Sequence, residues 1–459
     1  MVREKNAAGC FVRTVLIVAL LVLGFGIVAT FWLGSAPEVS LRPSAKGIGR
    51  KTPITVHLSD TGRVERVRVE LVQGSDVTAV GEKSFASHPA WEFWKSAHPE
   101  DLTVDVGRDS VKGLRAGQAT VRATAERAGS WLRRPEPVVA EVQLPVRLAP
   151  PSLSVVSTQH YVAQGGCEVV VYRIGESAVR DGVRSGEWWF PGFPLPGGDK
   201  QQRFAFYAVP WDTGDASQVR LVAVDDVGNE AAVAFVDQYF PKPIKTDVIQ
   251  LTDAFLNKVV PEILAQSEVR DQGDLLKSFL AINGDLRKRN AESLKELGAK
   301  SAPEFLWSQP FLPMPNAKIT AAFAQRRTYV YQGKQVDQQT HLGFDMASVQ
   351  RDAVPASNSG VVVMARFFGI YGNAVAIDHG YGLMSLYGHL SAIGVREGQK
   401  VERGQELGRS GQTGLAGGDH LHFTMLLQGL PVNPVEWWDP HWIRDRIARK
   451  LGPAFKYKV

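Results

Sequence analysis

Cysteine is nearly absent from this chain. Cys10 and Cys167 are the only two in 459 residues, and neither belongs to a CxxC pair. A disulfide framework and a cysteine-ligated zinc site are therefore excluded. An excess of one charge is lacking too: 52 Lys and Arg stand against 47 Asp and Glu, a net charge of +5. Nucleic-acid binding needs a concentrated basic face, so nucleic acid is not an expected partner. Extremes of polarity are missing as well. With 44% hydrophobic and 22% charged residues, the chain is neither disordered nor a polytopic membrane protein. What it has in quantity is Gly (44), Pro (26) and Phe (21), which favours turn-rich β structure over a helical array.

One long apolar run occurs. Residues 15–33 (VLIVALLVLGFGIVATFWL) carry no charge over 19 positions, about 28 Å as a helix, close to the hydrocarbon thickness of a bilayer. Arg3, Lys5 and Arg13 precede it. The run exceeds the usual length of a cleaved signal's apolar core, and the small residues Gly34, Ser35 and Ala36 run into Pro37, a poor successor to a cleavage point. We expect an uncleaved single-pass anchor in the cytoplasmic (inner) membrane. Basic residues on both flanks leave the count undecided, but Arg13 lies nearest the run, and we read N-in, C-out. The rest of the chain is then on the outer, periplasmic face.

Past the anchor, period-two alternation dominates. RVRVELVQ (Val67, Val69, Leu71), ATVRATAE (Ala119, Val121, Ala123) and EVQLPV (Val142, Leu144, Val146) read as half-buried antiparallel strands. Pro150-Pro151 breaks the chain. Similar alternation continues to LVAVDDVGNEAAVAFV, with Gly228-Asn229 as a hairpin turn. The expectation is mainly β: a β-sandwich module over 37–149 and an immunoglobulin-like module over 150–243, after a tail and anchor over 1–36. Over 244–300 the period becomes helical, with Leu275, Leu276, Phe279, Leu280 and Leu286 as an apolar stripe and Gly298 as a stop. That stripe must bury against a neighbour, so the helices are expected either to space the domains or to lie beside the next one and restrict access to it. Residues 301–316 hold Pro303, Pro310, Pro313 and Pro315, an extended connector.

Histidines gather in the last third. His341 and Asp345 stand in HLGFD, His389 in YGHL, and His420 and His422 in DHLHF, all within 82 residues. In HLHF the i, i+2 spacing puts both imidazoles on one face of a strand. Two imidazoles about 7 Å apart along a strand cannot both sit well on one ion, so one ligand and one neighbour is the economical arrangement. Gly343 argues against a helix through HLGFD, and a bend there would bring His341 and Asp345 together. Two imidazoles and a carboxylate with an open position describe a catalytic metal site rather than a structural one. His379 in IDHGYG reads as a turn residue, Trp437 and Trp438 as packing, and the basic tail 441–459 as a solvated helix covering the domain.

With their glycine-rich surroundings, VDQQTHLGFDMAS, GNAVAIDHGYGLMSLYGHLS and GRSGQTGLAGGDHLHF resemble the lysostaphin-like (LytM-type) zinc metallopeptidases, which cut peptide bonds of the bacterial cell wall. The resemblance covers about residues 317–440. It implies an antiparallel β peptidase domain binding one Zn2+ through His341, Asp345 and His422, with His389 and His420 as the catalytic pair and peptidoglycan stem peptides as substrate. The family often has Phe-Gly near its start; here Phe323 is followed by Ala324. The alternative function is a non-catalytic member that activates or recruits another wall hydrolase, but such members typically lack one of these five positions. A biotinyl-type carrier domain, prompted by VREGQKVERGQELG, would need a lysine at a tight turn in an MKM or DKA context, which is missing, and would leave the histidines unexplained.

Overall fold

The computed structural model describes all residues except 1, 33–35, 89–94, 96, 128–134 and 459. The chain is mainly β, with an N-terminal apolar helix and a helical segment before the last domain. Val2–Trp32 is one helix, whose stretch Phe11–Val28 has a mean hydropathy of 2.6 and is unburied. It is long and apolar enough to cross a bilayer or to serve as a signal sequence. Leu33, Gly34 and Ser35, where a cleavage point would be sought, lie outside the described residues.

The chain divides into two compact units, residues 1–150 with 224–230, and residues 151–223 with 231–459. In the first, beyond the helix, Val39–Pro43, Thr52–Leu58 and Glu100–Val106 form one antiparallel sheet. Asp76–Ser84, Val64–Gln73, Gly117–Arg127 and Val138–Val146 form another. The alternation read in sequence sets the inward face: Val67, Val69, Leu71, Ala119, Val121 and Ala123 are buried. They pack in one core with Ile54, Val56 and Val106.

The second unit begins with two four-stranded sheets between 153 and 233. Its helical part opens differently from expectation. Thr246–Leu251, inside the stretch read as helical, is a strand lying parallel to Gln325–Tyr331. Helix Asp253–Gln266 then starts at Thr252, whose hydroxyl accepts from the Phe255 N–H, a common N-cap. Leu275–Ala281 runs through a π turn into Arg287–Ala299. Phe279, Ile282 and Leu286 are its buried face, while Leu275, Leu276 and Leu280 are only half-buried beside them. The helix ends at Ala299, one residue past Gly298. Position 298 is glycine because a Cβ there would lie 2.6 Å from the Gly429 backbone nitrogen.

The last domain is built on an antiparallel sheet in the order Lys318–Ala321, Phe344–Ala347, Leu421–Leu427, Leu383–Leu390, Asn373–Gly380, Gly360–Phe367 and Lys400–Val401. Every residue of Leu383–Leu390 and of Leu421–Leu427 is buried, as for central strands covered on both faces. Trp437 is fully buried in this core. The tail is not solvated: Ile443, Ile447, Leu451 and Phe455 enter the same core, and Lys450 pairs with the buried Glu168 at 2.9 Å. His379 is a buried strand residue rather than a turn residue; its rings' nitrogens meet Ser359 O and Ser385 Oγ, each at 2.8 Å.

Candidate metal centre

Strand pairing assembles the site. Asp345 lies opposite His422 in register, and His422 lies opposite Gly388, the neighbour of His389. His420 precedes strand Leu421–Leu427 and bridges to Gly411. His341 ends strand Lys334–His341. The chain then bends through Gly343 into Phe344–Ala347, which carries Asp345. Glycine is required at that bend by close approach: a Cβ on Gly343 would lie 2.6 Å from both His422 Nε2 and Thr424 Oγ1. The Phe323-Ala324 departure also has a structural meaning. Ala324 adopts a left-handed φ of 61°, natural for glycine, while its N–H donates to His341 O at 2.8 Å.

Three donor atoms converge. His341 Nε2 and His422 Nδ1 each stand 2.9 Å from Asp345 Oδ1, and 3.1 Å from one another. All three residues are buried. His420 Nε2 is farther out, 3.6 Å from the same oxygen, and the His389 and His420 ring centres are 4.8 Å apart. His389 holds a φ of 63°, a strained conformation of the kind concentrated at functional sites. The five residues named from sequence are therefore in one place.

Outer contacts fix the tautomers. His341 donates its Nδ1–H to Ala322 O at 3.0 Å. The Thr424 hydroxyl donates to Leu342 O at 3.0 Å and so accepts from His422 Nε2–H, also at 3.0 Å. With those protons committed outward, the inner nitrogens and Asp345 Oδ1 present three lone pairs to one point, an arrangement a cation satisfies. The donor set fits a metal ion. His389 and His420 likewise donate Nδ1–H, to Thr413 O and Gly418 O, each at 2.8 Å, which turns both Nε2 atoms inward, that of His420 toward Asp345 Oδ1.

The electrostatics match. Burial alone would raise the Asp345 carboxyl, but His341, His420 and His422 around it hold it well below the usual range. Burial, with His420 and His422 nearby, pushes His389 well below 6.5, and burial takes His422 down to about 4. His420 is opposed by burial, but its contact with Asp345 leaves it raised. Sequence reading did not find Thr424 or Arg327, whose Nη2 lies 2.7 Å from Asp345 Oδ2; neither belongs to a His-bearing motif. Nor did it find the walls. The cavity at the cluster, about 560 Å³, is also lined by Trp188 and Trp211 from the preceding β region and by Phe255, Arg287 and Leu294 from the helical segment.

Two imidazoles and a carboxylate on an antiparallel sheet, beside a second pair of histidines, define a metallopeptidase-type centre. The profile of Peptidase family M23 matches residues 339–434, which hold all five residues, so this stretch is similar to that family. It is 33% identical over 169 residues to the peptidoglycan DD-endopeptidase ShyA of Vibrio cholerae, covering 37% of this chain and 36% of that one. It is 45% identical over 95 residues to the DD-carboxypeptidase/endopeptidase Mpg of Neisseria meningitidis, covering 21% of this chain and 22% of that one. The chain thus spans about a third or less of the length of these curated relatives. Among solved structures, a putative M23 peptidase from Pseudomonas aeruginosa is 20% identical, with 61% of this chain and 95% of that one covered at a TM-score of 0.37.

Proposed function

We propose that this chain is a zinc-dependent endopeptidase that hydrolyses peptide cross-links of bacterial peptidoglycan. One observation carries the reading: His341 Nε2, Asp345 Oδ1 and His422 Nδ1 converge within 3.1 Å inside the family match. The names of the two relatives, both endopeptidases and one of them of peptidoglycan, supply the substrate class. His341, Asp345 and His422 would hold the ion. When bound, zinc supplies a Lewis acid that polarises the scissile carbonyl and acidifies water toward neutral pH. The chain's own residues do the rest. His389 and His420 both line the cavity, with Nδ1 committed to backbone carbonyls and Nε2 left for the reaction. One takes the water proton; the other, protonated, stabilises the developing oxyanion.

In this reading residues 317–440 are the peptidase domain, 37–149 a β-sandwich module and 150–243 an immunoglobulin-like module. The N-terminal helix is an uncleaved anchor in the cytoplasmic membrane, with the catalytic domain on its periplasmic face. The test is to incubate the purified full chain with zinc and isolated murein, and to identify released muropeptides by mass spectrometry. Cross-linked dimers should fall and their monomers rise, and His422→Ala should abolish the change. A zinc-loaded wild type that leaves dimers intact would sink the proposal and favour the recruiting role.

A further inference from the structure

Asp345 has two carboxylate oxygens, and the structure treats them differently. Oδ1 faces His341 Nε2 and His422 Nδ1, each at 2.9 Å. Oδ2 faces away and accepts from Arg327 Nη2 at 2.7 Å. The Asp345 main chain is held separately, by its register with His422 and by the Thr320 hydroxyl, which donates to Asp345 O at 3.1 Å. Arg327 stands on strand Gln325–Tyr331, paired with Gln339 on one side and with Asp247 on the other, so its backbone is fixed between two strands. Its side chain is 20% exposed and that of Asp345 is 11%. An ion pair this enclosed is screened far less than a surface pair. Arg327 Nε is buried with no hydrogen-bond partner. The guanidinium therefore leaves one donor unmet while reaching Oδ2, which is how a side chain placed for its partner looks.

We propose that Arg327 is a positioning residue for the metal centre: it draws Oδ2 aside so that Asp345 offers the ion a single oxygen, and it offsets part of the carboxylate's charge. The inference rests on the reading that His341, Asp345 and His422 hold a metal. Its consequence has an unusual sign. Removing the guanidinium frees Oδ2 to join Oδ1 and restores the full negative charge, and both changes tighten ion binding. The same two changes occupy coordination that substrate needs and weaken the ion's pull on a carbonyl. Arg327 thus trades affinity for reactivity. A residue that merely propped the fold would do the opposite, loosening the ion when removed.

The experiment uses the full chain in detergent, stripped of metal, as wild type, Arg327→Met, Arg327→Gln and Arg327→Lys. Zinc dissociation constants come from chelator competition, and coordination from the visible spectrum of the cobalt-substituted protein. Arg327→Met should bind zinc more tightly than wild type, show weaker cobalt bands as coordination rises above four, and lose kcat with little change in KM. Arg327→Lys, which keeps the charge, should return affinity toward wild type. Should Arg327→Met fail to fold, neutral Arg327→Gln carries the same expectation. Zinc held as in wild type, or more loosely, by the neutral variants overturns the proposal. A wild type that binds no zinc refutes the metal-site reading itself, which is a distinguishable result.

Discussion

Thr424→Val tests whether the outer contacts set the site's chemistry. Valine keeps the shape of threonine and removes only the hydroxyl. Thr424 is fully buried, so water cannot take the hydroxyl's place. His422 Nε2–H then loses the acceptor it has at 3.0 Å, and an orphaned buried donor costs about 1–3 kcal/mol. The ring can recover that energy by moving its proton to Nδ1, where Asp345 Oδ1 waits 2.9 Å away. Nδ1 is the atom that must present a lone pair to the ion. The same 1–3 kcal/mol therefore opposes metal binding, a loss of about 5–150-fold at 1.4 kcal/mol per decade, in line with the 10–100-fold seen for outer contacts of metal ligands. The assay is zinc affinity by chelator competition on the full chain at fixed pH. Thr424→Ser keeps the hydroxyl and should stay near wild type. A valine variant with wild-type affinity would refute the reasoning, because the tautomer would then not depend on Thr424.

Removing a donor outright is more severe: His341→Ala, Asp345→Ala and His422→Ala should each abolish zinc retention on gel filtration, whereas His420→Ala should keep zinc and lose about 100-fold or more in kcat. Ala324→Gly relieves a left-handed alanine and should raise thermal stability by about 1 kcal/mol; an unchanged or lower melting temperature would contradict this. His379 is buried neutral, with its pKa brought from 6.5 down to about 4 by desolvation. The unfolded chain binds the extra proton in that window, so this stability is full above pH 6.5 and is lost as pH falls toward 4, by about 3 kcal/mol at 1.36 kcal/mol per unit. Urea unfolding of the metal-free protein should show a shallower acid loss for His379→Gln. Deleting residues 1–34 should turn a membrane-bound protein into a soluble one; a wild type already soluble, with a new N-terminus near Pro37, would mean a cleaved signal.

The histidine motifs were legible because strand geometry is local. HLH spacing puts two imidazoles on one strand face, and the structure keeps His422 in the cluster with His420 Nε2 3.6 Å from Asp345 Oδ1. Gly343 marked the bend because only a residue without a Cβ fits 2.6 Å from His422 Nε2. Alternation likewise gave Val67, Val69 and Leu71 their inward face. Errors arose where tertiary contact outweighed local pattern. Thr246–Leu251 became a strand because Gln325–Tyr331, about 80 residues later in sequence, offered an edge. Gly298 stands one residue before the helix end, but its close approach to the 428–429 backbone is a second reason for glycine that local pattern does not show. The polar tail carried too many charges to look buried, yet Ile443, Ile447, Leu451 and Phe455 form an apolar stripe through it.

The helical segment shows what such non-local contact does for the site. Its burial partners are Tyr329 and Ile370, and both line the same cavity as the histidines. Two polar contacts reach farther. Lys258 Nζ donates to Gln412 Oε1 at 2.8 Å and Ala416 O at 3.1 Å, and Glu262 accepts from the Gly414 N–H at 3.2 Å. Residues 412–416 are the approach to His420, and Thr413 O holds His389 Nδ1. Helix Asp253–Gln266 thus contacts the loop that carries Thr413, and Phe255 in its first turn lines the same cavity as His389 and His420.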